Sequence, residues 1–190
     1  MARTPEFDRE QVLDAALQAF WRKGYEATTL PDLLQATGLA RQSLYNTFGD
    51  KRALFLASLR RYADDRRGRL AKALETGSVR SAIRGLFEDV LHGEERGCGC
   101  FLVNATTELL PSDPEIGRLV ASAMARQERA LTEALRRGVR EGELHLPPKR
   151  IEQTARFLMA ALQGLRVMVK ARPDSLGLRD VVAVALRSID

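Results

Sequence analysis

The stretch Gly24-Tyr25-Glu26-Ala27-Thr28-Thr29-Leu30-Pro31-Asp32-Leu33-Leu34-Gln35-Ala36-Thr37-Gly38-Leu39-Ala40-Arg41-Gln42-Ser43-Leu44-Tyr45-Asn46-Thr47-Phe48-Gly49-Asp50-Lys51 decides how this chain reads. It sets two short helices between glycines. Gly24 stops whatever precedes it in the manner of a residue just past a helix end. Thr29 is placed to cap a new helix, Pro31 is tolerated in its first turn, and Asp32, three residues on, completes a box-like start. Gly38 interrupts that helix almost at once. A second short helix runs from Arg41 to about Thr47 and turns Leu44 and Phe48, four apart, inward. Gly49-Asp50 then ends it and caps a long helix from Lys51 to about Leu74. Upstream, over residues 8–23, Val12, Leu13, Ala16, Leu17 and Phe20 share one stripe of an amphipathic helix. Two short helices about a glycine-containing turn, braced by a third, make the helix-turn-helix plan, whose second short helix lies in a major groove of DNA.

The outward face of that second helix carries Arg41, Gln42, Ser43, Tyr45 and Asn46, nearly all hydrogen-bonding groups. Arginine can fork onto guanine, glutamine can pair with adenine, and serine suits either base. Arg41, Gln42, Ser43 and Asn46 are therefore the candidate base readers. Thr29, Tyr45, Thr47 and Lys51 are the candidate phosphate contacts, Lys51 by its ammonium at a helix start. Bulk charge does not do this work. The chain carries a net +5, yet residues 1–53 hold seven basic and seven acidic side chains, a balance of zero. Arg60, Arg61, Arg66, Arg67 and Arg69 read as a solvated helix face with some phosphate steering.

Beyond Lys51 the punctuation continues as caps, and period-two alternation is lacking. Ser78 opens a helix with Val79, Ile83, Leu86, Phe87 and Val90 inward, closed near Gly93. Gly97-Cys98-Gly99-Cys100 leads into a helix from Phe101 to Leu110. Pro111-Ser112-Asp113-Pro114-Glu115 stops that helix and caps the next, to Gly142. Pro147-Pro148 opens another to about Lys170, and Pro173-Asp174-Ser175 introduces the last. The expected fold is thus all-α with nine helices: a three-helix head over residues 1–52 and a helical body over 53–190.

In the eighth helix Ile151, Ala155, Leu158, Leu162, Leu165 and Val169 step as a full a/d seam, while Phe157, Ala161, Gly164 and Met168 form a second apolar face. The ninth, around Val181 to Leu186, is apolar nearly all round. Helices apolar on two sides need neighbours on two sides, which points to an isologous bundle of two copies. Leu158, Leu162, Leu165, Val182 and Leu186 are the candidate interface. The competing reading buries both faces within one chain.

Taken together, Gly24-Tyr25, Thr28-Thr29-Leu30, Gly38-Leu39 and Leu44 through Lys51 closely resemble the N-terminal signature of the TetR/AcrR transcriptional regulators. The match covers about 45 residues and its specificity lies in the combination. The resemblance implies nine helices, a DNA-reading head, a divergent ligand-sensing body, dimerisation through the last two helices, and repression relieved by a small molecule. Two positions depart from the pattern. Ala40 stands where a capping serine is usual, removing a cap worth ~1 kcal/mol, and Thr47 stands where histidine or tyrosine is common.

For a sensing body, polar or aromatic groups on apolar stripes mark pocket candidates. These are Gln127 within the row Ile116, Val120, Ala123, Leu131, Ala134; Asn104 and Glu108 one turn apart; and Tyr62, Phe101 and Phe157. A buried carboxylate needs a partner, so Glu108 suggests a donor or cationic ligand; the alternative is hydrogen bonding between helices. Cys98 and Cys100 invite a redox role, with Arg96 and a helix start lowering a thiol pKa, against the plainer reading of small buried residues. Cys-X-Cys offers two metal ligands, and neither His92 nor His145 completes a spacing, so no metal and no cofactor is expected. No nucleophile–base pair, phosphate-cradling loop or paired acids stand out, so no enzyme is expected. Apolar runs of about six residues fall far short of the ~20 that span a bilayer, and residues 1–8 lack a signal-peptide core. The expected setting is cytoplasmic, with double-stranded operator DNA, a small effector and a second copy as partners. Two alternatives stay open: a body for protein assembly, and a cysteine-based sensor of oxidants or electrophiles.

Overall fold

The computed structural model describes residues 7–75, 77–93, 97–172 and 177–190. Among them run α1 (Arg9–Lys23), α2 (Leu30–Thr37), α3 (Arg41–Phe48), α4 (Lys51–Glu75), α5 (Val79–His92), α6 (Phe101–Leu109), α7 (Pro114–Arg140), α8 (Pro148–Ala171) and α9 (Leu178–Arg187). The caps expected at Asp50 and Asp113 form, and Asp8, which the sequence reading did not single out, caps α1. Asp8 accepts from the amides of Glu10 and Gln11, Asp50 from Ala53, and Asp113 from Glu115 and Ile116. At α2 the Thr29 hydroxyl accepts from the Asp32 amide while the Asp32 carboxylate accepts from the Thr29 amide. Ala40 gives α3 no side-chain cap. Pro173-Asp174-Ser175, expected to introduce α9, and Arg96 lie outside the described residues.

The buried side chains divide into two cores, and two helices run through both. The first joins α1–α3 to the start of α4 (Leu54, Phe55, Leu59, Tyr62), to α6 and to Ile116, Val120 and Ala123 of α7. The second joins Leu70 and Leu74 of α4 to α5, to Leu131, Ala134 and Leu135 of α7, and to α8 and α9. An aromatic chain stitches the first core across the head–body line. Phe20 meets Phe55 edge-on at 5.0 Å, Phe55 meets Phe101 at 5.4 Å, Phe101 meets Tyr62 at 5.7 Å, and Tyr62 meets Trp21 at 5.1 Å. The start of α4 is therefore as much a wall of the head as a stalk for the body.

The seam on the last two helices faces inward, which corrects the interface assignment. Leu158, Leu162, Leu165, Val182 and Leu186 are 0–6% exposed within the single chain and belong to the second core, so they have no surface left for a second copy. Packing of α8 against α5, α7 and α9 takes the row with the largest aliphatic side chains. The other row stays outside. Phe157, Val167, Met168 and Val184 are 43–54% exposed, and Ala160, Gly164 and Ala183 lie exposed beside them.

Candidate functional site

The head presents α3 as the sequence suggested. Leu44 and Phe48 anchor it in the first core, and Arg41, Gln42 and Asn46 are exposed on the far side, with Ser43, Tyr45 and Thr47 half-buried between. These groups are ordered against each other. Gln42 Nε2 donates to Asn46 Oδ1 at 2.9 Å, the Arg41 guanidinium lies 5.6 Å from the Tyr45 ring centre, and the Thr47 hydroxyl donates to the Ser43 carbonyl at 2.8 Å. The Gln42–Asn46 pair fixes both amides while leaving each a free donor or acceptor edge. Lys51 donates to the Glu26 carbonyl at 3.4 Å and sits 4.5 Å over the Tyr25 ring. An ammonium has three donors, so this posture leaves capacity for a phosphate.

Thr29 is the exception among the proposed phosphate contacts, and the structure corrects it. Its hydroxyl donates to Asp32 Oδ2 at 2.8 Å and its amide donates to the same oxygen at 2.8 Å, so both donors serve the capping box. The Asp32 carboxylate also accepts from Lys23 Nζ at 2.6 Å; that bond, then the Thr29 bonds, hold its pKa well below the usual carboxylate range.

Of the six pocket candidates, the structure brings two to one cavity. Where the two cores part, a cavity of about 380 Å³ opens among α4, α5, α7, α8 and the Gly99-Cys100 turn, and Tyr62 and Gln127 line it. Phe101 fills the aromatic chain of the first core instead. Asn104 Nδ2 donates to the Cys98 carbonyl at 2.9 Å, holding the turn before α6. Phe157 lies on the outer face of α8. Glu108 is the sharpest correction. Its carboxylate accepts from the Tyr25 amide (2.9 Å) and the Glu26 amide (2.7 Å), clasping the turn between α1 and α2. A donor partner was expected for it; the donors are the chain's own backbone, 82 and 83 residues away.

That clasp is one of several ties between head and body. Trp21 Nε1 donates to the Gly99 carbonyl at 3.2 Å, from α1 to the turn that walls the cavity. Arg52 forks onto Asp113 at 2.9 and 3.0 Å and reaches Glu115, which holds the Asp113 carboxyl below its ordinary value. Arg61 forks onto Asp14. The α4 arginines at 60 and 61 are thus partly engaged in structural pairs rather than held free for DNA.

Inside the cavity the Tyr62 hydroxyl is buried with no hydrogen-bond partner. Burial, with Cys100 beside it, pushes its pKa up to about 12, so the phenol keeps its proton at neutral pH. Sequence reasoning missed most of the lining, Arg166 and Cys100 among it. Arg166 was not singled out at all, and Cys100, which is buried, borders the cavity while Cys98 is half-buried outside it; neither cysteine is in a disulfide. A basic side chain three residues after Gln163 and one after Leu165 carries no local signal that it turns inward. Among the described residues no three His, Cys, Asp or Glu side chains gather as a metal site.

Residues 12–58 match the family described as "Bacterial regulatory proteins, tetR family", and residues 77–185 match "Tetracyclin repressor-like, C-terminal domain". The chain is 37% identical to the uncharacterized HTH-type transcriptional regulator YezE of Bacillus subtilis, over the full length of both. It is 34% identical to the HTH-type transcriptional repressor ComR of Escherichia coli, over 97% of this chain and 90% of that protein. Among solved structures, a cysteine mutant of the TetR family regulator CifR, complexed with 26-bp double-strand operator DNA, is 28% identical with a TM-score of 0.79 over 98% of each chain. A TetR family regulator from Cytophaga hutchinsonii shares the fold at a TM-score of 0.85 over 97% and 96% of the two chains, at 18% identity.

Proposed function

This chain belongs to the TetR family and is a helix-turn-helix, DNA-binding transcriptional regulator, and we propose that it is a homodimeric repressor released from a pseudo-palindromic operator when a small effector enters the cavity beside Tyr62 and Gln127. The observation that carries this reading is the exposed row Arg41, Gln42 and Asn46 on a helix fixed from beneath by Leu44 and Phe48. Residues 1–52 act as the reading head. Arg41, Gln42, Ser43 and Asn46 take base edges, and Tyr45, Thr47 and Lys51 take phosphates. Residues 53–190 sense and dimerise. The reading assigns no catalytic residue and places the protein in the cytoplasm with its DNA; no helix among the described residues is long and apolar enough to cross a membrane.

The second copy seats on the exposed row of α8 and α9. Gly164 and Ala160 let a partner helix approach closely, and Phe157, Val167, Met168 and Val184 supply the apolar area that needs cover. Two heads on a two-fold then demand an inverted repeat. An open cavity in the body favours a small effector over a body used for assembly alone. Cys100 at its edge supports a second reading, in which an electrophile or oxidant modifies that thiol. Selection from a random duplex library tests the primary reading. An enriched inverted repeat supports it, and the absence of any enriched sequence would overturn it. Cys100→Ser separates the two triggers: release by a non-electrophilic ligand survives the change, whereas release by electrophiles is lost.

A further inference from the structure

The cavity also carries information about what it holds. Resting on the reading of this cavity as the effector site, we propose that the effector is a small organic carboxylate with an apolar body, its charged end taken by Arg166 and the Tyr62 hydroxyl. Three polar groups line it with bonding capacity to spare. The Tyr62 hydroxyl, on a residue 3% exposed, has no partner. The Gln127 side chain is buried in the α7 stripe and makes no hydrogen bond among the described residues. Arg166 donates from Nη1 to Gln163 Oε1 at 3.2 Å and has no carboxylate partner among the described residues. A half-buried guanidinium left in this state is costly unless something anionic arrives.

The rest of the lining narrows the choice. Arg66 and Arg69 enter the same wall from α4, Arg66 with its guanidinium 5.0 Å from the Tyr62 ring centre, and Arg69 tied to Asp65 at 2.9 Å. Asp89 is the one carboxylate among the described lining residues, against three arginines. A cation would meet Arg166, which no carboxylate among the described residues pairs, and a neutral ligand would leave that guanidinium without a counter-charge. The phenol, protonated because burial disfavours its anion, can donate to a carboxylate oxygen. Val90, Leu131, Leu162 and Val169 supply apolar lining to the same cavity. At about 380 Å³ the cavity is at the low end of the ~300–1,000 Å³ usual for small-molecule sites, which suits an aromatic or medium-chain acid.

The intact dimer is titrated with octanoate, phenylacetate and salicylate, and with octanol and octylamine as matched neutral and cationic probes. Calorimetry gives affinity. Fluorescence of Trp21, the single tryptophan, reports occupancy because its ring lies 5.1 Å from that of Tyr62. At least one acid should bind saturably, and for the eight-carbon set octanoate should bind about tenfold or more tighter than octanol. Arg166→Gln should erase that preference, Arg166→Lys should restore part of it, and Tyr62→Phe, which keeps the packing, should weaken the acid a few-fold while sparing octanol. Equal binding of octanol and octanoate, preference for octylamine, no saturable binding by any of the three acids, or an acid affinity unmoved by Arg166→Gln would each overturn the proposal. Failure of the regulator reading shows elsewhere, as loss of sequence preference in DNA selection, a readout that needs no ligand.

Discussion

If Glu108 clasps the head rather than lining the cavity, removing it should loosen a particular pair of amides. In Glu108→Ala the Tyr25 and Glu26 amides lose acceptors at 2.9 and 2.7 Å and turn to water instead. Hydrogen bonds to a charged acceptor contribute ~1.5–3 kcal/mol each when shielded, and less at an exposed site such as this one, so about 1–2 kcal/mol for the pair is the working figure. For a chain of this length that lowers the thermal midpoint by about 2–8 °C. Amide hydrogen exchange gives the direct test, since protection at Tyr25 and Glu26 should fall while that of α7 and α8 stays. The clasp can also be broken from its other side. Gly24 has a φ of +85°, and a Cβ there would stand 2.9 Å from Glu108 Oε2, so Gly24→Ala combines backbone strain with displacement of the carboxylate. In the Glu108→Ala background the displacement has nothing to displace, and only the strain should remain. The double variant should therefore fall short of the sum by about 0.5 kcal/mol or more. Unchanged exchange at Tyr25 and Glu26, or strict additivity, would refute the clasp.

Three further outcomes follow from other contacts. Arg41→Ala should cost about 1–3 kcal/mol on the selected duplex and relax preference at one base pair, whereas Lys51→Ala should weaken all duplexes alike and reduce the salt slope by about one; isotherms at two salt concentrations on matched and scrambled duplexes separate them, and equal losses for Arg41→Ala on both would remove it from base reading. Val167→Asp should yield a folded monomer by light scattering and circular dichroism, while Leu165→Asp, fully buried within one chain, should fail to fold; a dimeric Val167→Asp protein would place the interface elsewhere. The Asp32 carboxyl, its pKa lowered by Lys23 and Thr29, stabilises the head fully above the unfolded carboxyl value near ~3.9 and loses that contribution as pH falls below it, so thermal midpoints between about pH 5 and pH 2 should fall more steeply for the parent than for Asp32→Asn.

What the sequence disclosed was governed by distance along the chain. The Thr29–Asp32 box, the missing cap at Ala40 and the inward pair Leu44 and Phe48 are settled within a few residues, and each stands where local rules put it. The seam of Leu158, Leu162 and Leu165 was also visible, but periodicity shows which residues share a face and not what covers it. A second copy and the chain's own α5, α7 and α9 present the same apolar demand. Glu108 failed for the matching reason on the polar side. A long polar side chain reaches across several ångströms, and its partner's place in sequence, 83 residues away for Tyr25, leaves no local trace. Gln127 was readable because it breaks an otherwise apolar stripe, a local anomaly with a non-local cause.

The geometry also constrains how occupancy could reach the DNA. The cavity shares the Gly99-Cys100 turn with the start of α6, and α6 ends at the Glu108 clasp on the turn just ahead of Thr29. Trp21 fastens the same turn to α1, and Tyr62 borders the cavity from α4, the helix that begins at Lys51. Pocket and reading head are therefore joined by two short rigid routes, α4 and α6, packed face to face through Phe55, Phe101 and Tyr62. Because that aromatic contact is close-packed, the helices cannot slide by small independent amounts and must move as a block or stay. A ligand shifts such a block only by the difference in its affinity for the two positions, and tenfold release of operator asks for ~1.4 kcal/mol of that difference. A charged bond to Arg166 on α8 combined with one to Tyr62 on α4 is the kind of contact that can supply it, since it is made or lost as the distance between those helices changes.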